Sequence, residues 1–182
     1  MLRVGDVILC NYNINKNKWI TKILSLQQKI DDGKATHAAI YTGNNQFLES
    51  NWKGTQFVSM PYVEGGKSYA ILRWKECIDE NKMHNIITRY YQSHKYKGYS
   101  YLGLLSAGIS SIITYMINTL MLGKLEIKPI FIKEEEAPFC SELVAEIYEE
   151  YLESPLSKIK NDVITPNDIY RIKRFIIIQD FA

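Results

Sequence analysis

The sequence predicts an α+β protein in which an antiparallel sheet packs against helices, and three observations carry that expectation. Short strand-like runs fill residues 6–74, helical spacing takes over after Asp79, and the stretch from Thr36 to Ser50 has the signature of a β-hairpin. Strands followed by helices, rather than strict alternation, point away from a parallel doubly wound sheet.

Each element has a local reason. "GDVILCNY" is rich in β-branched residues and enters a strand, Asp6 to Asn11, through Gly5. A helix from about Lys18 to Ile30 follows. "THAAIYTGNNQFLES" holds two strands, Thr36 to Thr42 and Gln46 to Ser50, joined at Gly43-Asn44-Asn45, three residues that tolerate positive φ. "GTQFVSM" and "YAILRW" supply strands at Gln56 to Ser59 and Tyr69 to Trp74, and Asp79 to Tyr96 reads as a helix. "EEEAPFCSELVAEIYEEYL" is amphipathic, with a proline just ahead of its cysteine. In "TPNDIYRI", Thr165 at N-cap, Pro166 at the first helical position and Asp168 at the third open a short helix. Phe175 to Gln179 is the last strand.

Length and composition bound the function. A chain of 182 residues fits one domain, able to bury about 70% of the surface that its unfolded form exposes. Apolar residues at 46% and charged residues at 23% exclude a disordered or fibrous class. A formal charge of +2 with no basic stripe gives no footprint for nucleic acid; Lys158 to Lys160 and Arg171 to Arg174 read as solvated faces. No basic and apolar leader follows Met1, so a cytoplasmic location is expected. Cys10, Cys77 and Cys140 stand far apart with neither CxxC nor HxxxH spacing, which predicts free thiols and no metal site.

Tyr101 to Leu122 runs 22 residues without a charge, long enough to span a bilayer. Ser106, Ser110, Thr114 and Asn118 draw a polar stripe along it, while Leu105, Ile109, Ile112 and Met116 fill other faces. The expectation is a helix with one wet side, inserted at about 101–133 in a single domain covering 1–182. Its apolar side is to be covered by the core, by a second copy of the chain or by lipid at a membrane surface.

Cys140 and His37 are the plausible nucleophile and base. A thiolate is the reactive form of cysteine, and both a helix N-terminus and a nearby imidazolium favour it. Pro138-Phe139-Cys140-Ser141-Glu142 puts the sulfur on such a first turn, where the Cys140 N–H can also face an oxyanion. Packing is the plainer role for either residue: most free cysteines are small buried hydrophobes, and most strand histidines are satisfied core or surface groups. Glu49 lies twelve residues after His37, on the returning strand. With an odd loop it shares His37's face and can orient the imidazole, whereas an even two-residue loop turns it to the opposite face. His84, His94 and Arg89 ride the helix after Asp79 and read as solvated.

In chain order, "GDVILCNY", "ATHAAIYTGNNQFLES", "ILRW", "YKGYSY", "FCSELVAEIY" and "ITPNDIYRI" form a series that resembles the circularly permuted NlpC-type papain-like proteins, the YiiX-like group related to lecithin:retinol acyltransferase-like enzymes. The small-residue histidine strand and the Cys-Ser-Glu-Leu helix start are its specific blocks. Histidine preceding cysteine, the reverse of ordinary papain-like order, is what permutation implies. The resemblance implies a permuted papain-like fold with Cys140 as nucleophile, His37 as general base and acid, and Glu49 as the group that orients it. It implies an acyl-cysteine intermediate and no cofactor. Tyr99 falls in a block where Ser100 replaces a common aspartate, and is given no chemical role.

The expected activity is therefore a cysteine hydrolase acting on an amide or related ester of a small-molecule, peptide or lipid substrate. A lipid acyltransferase or thioesterase of the same fold is the first alternative, and a catalytically inactive binding module the second.

Overall fold

The computed structural model describes residues 1–11, 34–51, 53–59, 69–95, 138–158 and 164–181. The strands are β1 Val7–Cys10, β2 His37–Gly43, β3 Gln46–Asn51, β4 Gly54–Val58, β5 Tyr69–Trp74 and β6 Phe175–Gln179; the helices are α1 Glu80–His94, α2 Cys140–Leu152 and α3 Pro166–Arg171. The strands form one antiparallel sheet in the order β4-β3-β2-β1-β5-β6. The architecture is thus α+β, with an open six-stranded antiparallel sheet and three helices among the described residues. The expected helix at Lys18 to Ile30, the insertion at about 101–133 and Tyr99 lie outside those residues.

Alternation along the strands divides the sheet into two faces. Val7, Leu9, Ala38, Ile40, Leu48, Ala70 and Leu72 join the main core with Met83, Ile86 and Ile87 of α1 and Leu143, Val144, Ile147 and Tyr148 of α2. Ile8, Cys10, Ala39 and Phe47 form a smaller cluster from the intervening positions. Trp74, Tyr148 and Phe175 interlock with centroids 5.2–5.3 Å apart and tie α2 to the β5–β6 edge. Each fully buried aliphatic side chain in such a core contributes about 1.5–3 kcal/mol.

Caps fix the helix starts. Asp79 accepts from Asn81 and Lys82 backbone N–H groups at the head of α1. At α3, Thr165 and Asp168 exchange bonds as the sequence predicts, with Pro166 at the first helical position. α2 lacks a polar N-cap side chain; Glu142 instead reaches back to the Phe139 N–H at 3.1 Å.

The Gly5-Asp6 pair at the N-terminus is structural. Gly5 sits at φ +90°, and a Cβ there would lie 3.0 Å from Ile78 Cδ1. Its carbonyl accepts from Tyr148 Oη at 2.6 Å and its N–H donates to the Tyr41 carbonyl. Buried Asp6 accepts a two-pronged bond from Arg73, through Nε at 2.8 Å and Nη2 at 2.6 Å.

The hairpin differs from expectation in an instructive way. The turn proper is only two residues, Asn44 and Asn45, both at positive φ, and Gly43 pairs with Gln46. An even loop alone would have turned Glu49 away from His37. The register shifts between Tyr41 and Gly43, however, so one extra residue in β2 restores the parity and sets Glu49 opposite Ala39.

Candidate active site

His37 is the first residue of β2 and Cys140 the first of α2. They meet at the end of the sheet where β2 begins and β3 finishes. Glu49, on β3, is one diagonal step from His37 and on the same face, as its pairing with Ala39 requires. The structure therefore brings together all three residues singled out in the sequence.

The imidazole is held from both sides. Its Nε2 lies 3.0 Å from Glu49 Oε2, and the Cys140 side chain hydrogen-bonds the ring as well. With Nε2 engaged by the carboxylate, Nδ1 is the nitrogen left to serve the thiol. All three groups are buried: Glu49 is 0% exposed, Cys140 8% and His37 9%.

Burial and charge oppose each other here, and charge wins. Burial by itself would lower the imidazole pKa, but the Cys140 thiolate and then Glu49 stabilise the imidazolium and push it up to about 10. Burial would likewise raise the thiol. The His37 charge and hydrogen bond, together with backbone N–H groups of Ala38 and Ser141, hold it below the ordinary thiol range instead. Both shifts favour the thiolate–imidazolium form of the pair, and the sulfur also lies at the positive end of a 13-residue helix.

Several polar residues that the sequence reading passed over build this arrangement. Glu49 Oε1 accepts from Asn51 Nδ2 at 2.6 Å and from Gln56 Nε2 at 3.1 Å, so the buried carboxylate has three partners. Ser50 Oγ donates to the Pro138 carbonyl, tying the lead-in to α2 against β3. Ser141 Oγ donates to the Ile164 carbonyl at 2.6 Å, fixing the first turn of α2 to the lead-in of α3. Asn167 closes the circuit: its amide exchanges bonds with Ala35, through Ala35 N–H to Oδ1 at 2.9 Å and Nδ2 to the Ala35 carbonyl at 3.1 Å. These links join β2, β3, α2 and α3 around the dyad. Their sequence signal is a polar residue next to a site residue or a cap, too common to single out.

The remaining candidates stand apart in role. Cys10 is buried as the cross-strand partner of His37, Cys77 is exposed, and none of the three cysteines is in a disulfide. His84 is exposed, but His94 is only partly so; it stacks on Tyr90 at 4.2 Å instead of being simply solvated. Arg89 pairs with Glu150 across α1 and α2. Among the described residues, no group of three or more His, Cys, Asp or Glu side chains is placed to hold a metal ion, and no helix is long and apolar enough to cross a membrane.

No family model matches the chain, and no curated protein matches it.

Proposed function

We propose that this protein is a cysteine hydrolase of the circularly permuted NlpC-type papain-like class, cleaving an amide or related ester bond through an acyl-cysteine. The observation that carries the proposal is the Cys140–His37–Glu49 cluster: a thiol on a helix first turn, an imidazole bonded to it, and a buried carboxylate 3.0 Å from the imidazole Nε2. Packing alone gives no reason to bury an ion pair and a carboxylate that burial disfavours.

In this mechanism the Cys140 thiolate attacks the substrate carbonyl carbon, and the carbonyl π electrons move to oxygen. The Cys140 backbone N–H, at the start of α2, is the donor proposed to stabilise that oxyanion. His37 then gives its Nδ1 proton to the departing amine or alkoxide, leaving an acyl-cysteine and a neutral imidazole. A water loses its proton to His37 as it attacks the thioester, and collapse of the second tetrahedral intermediate releases the acid and restores the ion pair. Glu49 does not take a proton; it keeps Nε2 protonated and Nδ1 facing the sulfur.

Incubation with a panel of peptides, simple esters and acyl lipids, followed by intact-mass analysis, tests the proposal. The expected result is a mass increase equal to an acyl group on Cys140 in wild type and none in Cys140→Ser. Absence of any adduct or turnover across the panel, in protein whose Cys140 is intact, would favour a binding module. Transfer of the acyl group to an alcohol or amine in preference to water would move the assignment to an acyltransferase.

A further inference from the structure

β6 is an edge of the described sheet, and Ile176, Ile177 and Ile178 at its centre are 41%, 48% and 44% exposed. Both faces of the strand are open here, since Ile176 and Ile177 are consecutive in the ladder, opposite Arg73 and Leu72; beyond them the register shifts, and Ile178 is the extra residue before Ile71 pairs with Gln179. Edge strands that must stay unpaired usually place a lysine or a proline in the strand centre. These three positions have neither, and the charges sit just outside them, Lys173 and Arg174 on one side and Asp180 on the other.

That charge order is self-complementary. We propose that β6 is a dimerisation edge whose occupant is β6 of a second copy of this chain, paired antiparallel about a two-fold axis through Ile177. In that register Ile176 faces Ile178 of the second copy, and Arg174 faces its Asp180 at both ends. A parallel arrangement would bring like charges together. A closed two-fold contact buries the isoleucines of both copies and removes one open edge from each. Arg174 already lies over the Trp74 ring at 4.2 Å and near Glu76, and Asp180 accepts from Tyr170 Oη at 2.9 Å, so both charges are held beside the strand before association. This inference is independent of the proposed catalytic activity.

The test uses the full chain in sedimentation equilibrium. Wild type is expected to be a concentration-dependent dimer, and Ile177→Lys a monomer at the same concentration with an unchanged circular dichroism spectrum. Arg174→Asp and Asp180→Arg should each weaken association about tenfold, and the double reversal should restore it. Should Ile177→Lys fail to fold, crosslinking decides. In a Cys77→Ser background, Ile177→Cys should form an intermolecular disulfide on mild oxidation, because antiparallel partners lie about 4.5–5.5 Å apart between Cα atoms. Phe57→Cys, on the opposite edge, should not. A wild-type monomer at high concentration, or a dimer indifferent to Ile177→Lys and to both charge reversals, would overturn the proposal.

Discussion

Glu49 stands directly across the β2–β3 ladder from Ala39, and that single pairing places its carboxylate 3.0 Å from His37 two residues along the strand. The carboxylate is fully buried, with Asn51 and Gln56 on its second oxygen. Its orientation is therefore set by four residues on three adjacent strands, not by side-chain preference.

Glu49→Gln should slow acylation of Cys140 by about 10²-fold or more, while leaving substrate affinity nearly unchanged. An amide at this position either offers its NH₂ to Nε2, which forces the wrong tautomer, or faces Asn51 and Gln56 with a donor. Single-turnover kinetics on the best substrate from the panel measures this. An unchanged acylation rate would remove Glu49 from the mechanism.

The pH dependence follows from the two opposed shifts. The His37 pKa is raised to about 10, so its contribution to stability is fully present below about 6.5 and is lost as pH rises through 10. The Cys140 pKa is lowered, so its contribution is present above the ordinary thiol value and is lost as pH falls through the depressed one. The ion pair exists between the two folded-state values. The profile of kcat/KM should be a bell whose acid limb lies below the usual thiol range and whose alkaline limb approaches 10. A profile still rising through pH 8–9 would mean an ordinary thiol.

Asn167→Ala should destabilise the fold by about 2–4 kcal/mol, because it leaves both the N–H and the carbonyl of Ala35 without their buried partner. Urea unfolding reads this directly. Since Ala35 precedes His37 by two residues, the same variant should also lower the rate at which Cys140 is alkylated. Stability within about 0.5 kcal/mol of wild type would show that Asn167 does not anchor this strand.

Gly5→Ala should cost about 1–2 kcal/mol from backbone strain at φ +90°, with a further penalty from the 3.0 Å approach to Ile78. Thermal melts compared with wild type check it. A neutral effect would mean that the N-terminal turn relaxes without disturbing Tyr148 and Asp6.

Much of this arrangement was legible before the fold was seen. β5 and β6 begin and end where their β-branched and aromatic runs do, and Thr165-Pro166-Asn167-Asp168 caps α3 as its residue types require. Periodicity and caps are local properties, so a single stretch of sequence is enough to read them. The hairpin shows the limit. Asn44 and Asn45 announce a turn, but the extra residue between Tyr41 and Gly43 comes from pairing across strands, and no residue type there signals it. Asn167 was readable as part of a cap but not as the clamp on Ala35, a contact 132 positions away. Long-range polar contacts of this kind depend on the finished fold, and Asn51, Gln56, Ser50 and Ser141 escaped notice for the same reason.

Selective alkylation at pH 6, read by peptide mass mapping, shows whether His37 makes Cys140 a reactive thiolate. Cys77 is exposed and serves as the reference within the same molecule. Iodoacetamide is expected to modify Cys140 at least about tenfold faster than Cys77 in wild type, despite its burial, and His37→Ala to reverse the order. Modification of Cys77 first, with Cys140 untouched until the protein unfolds, would contradict this expectation.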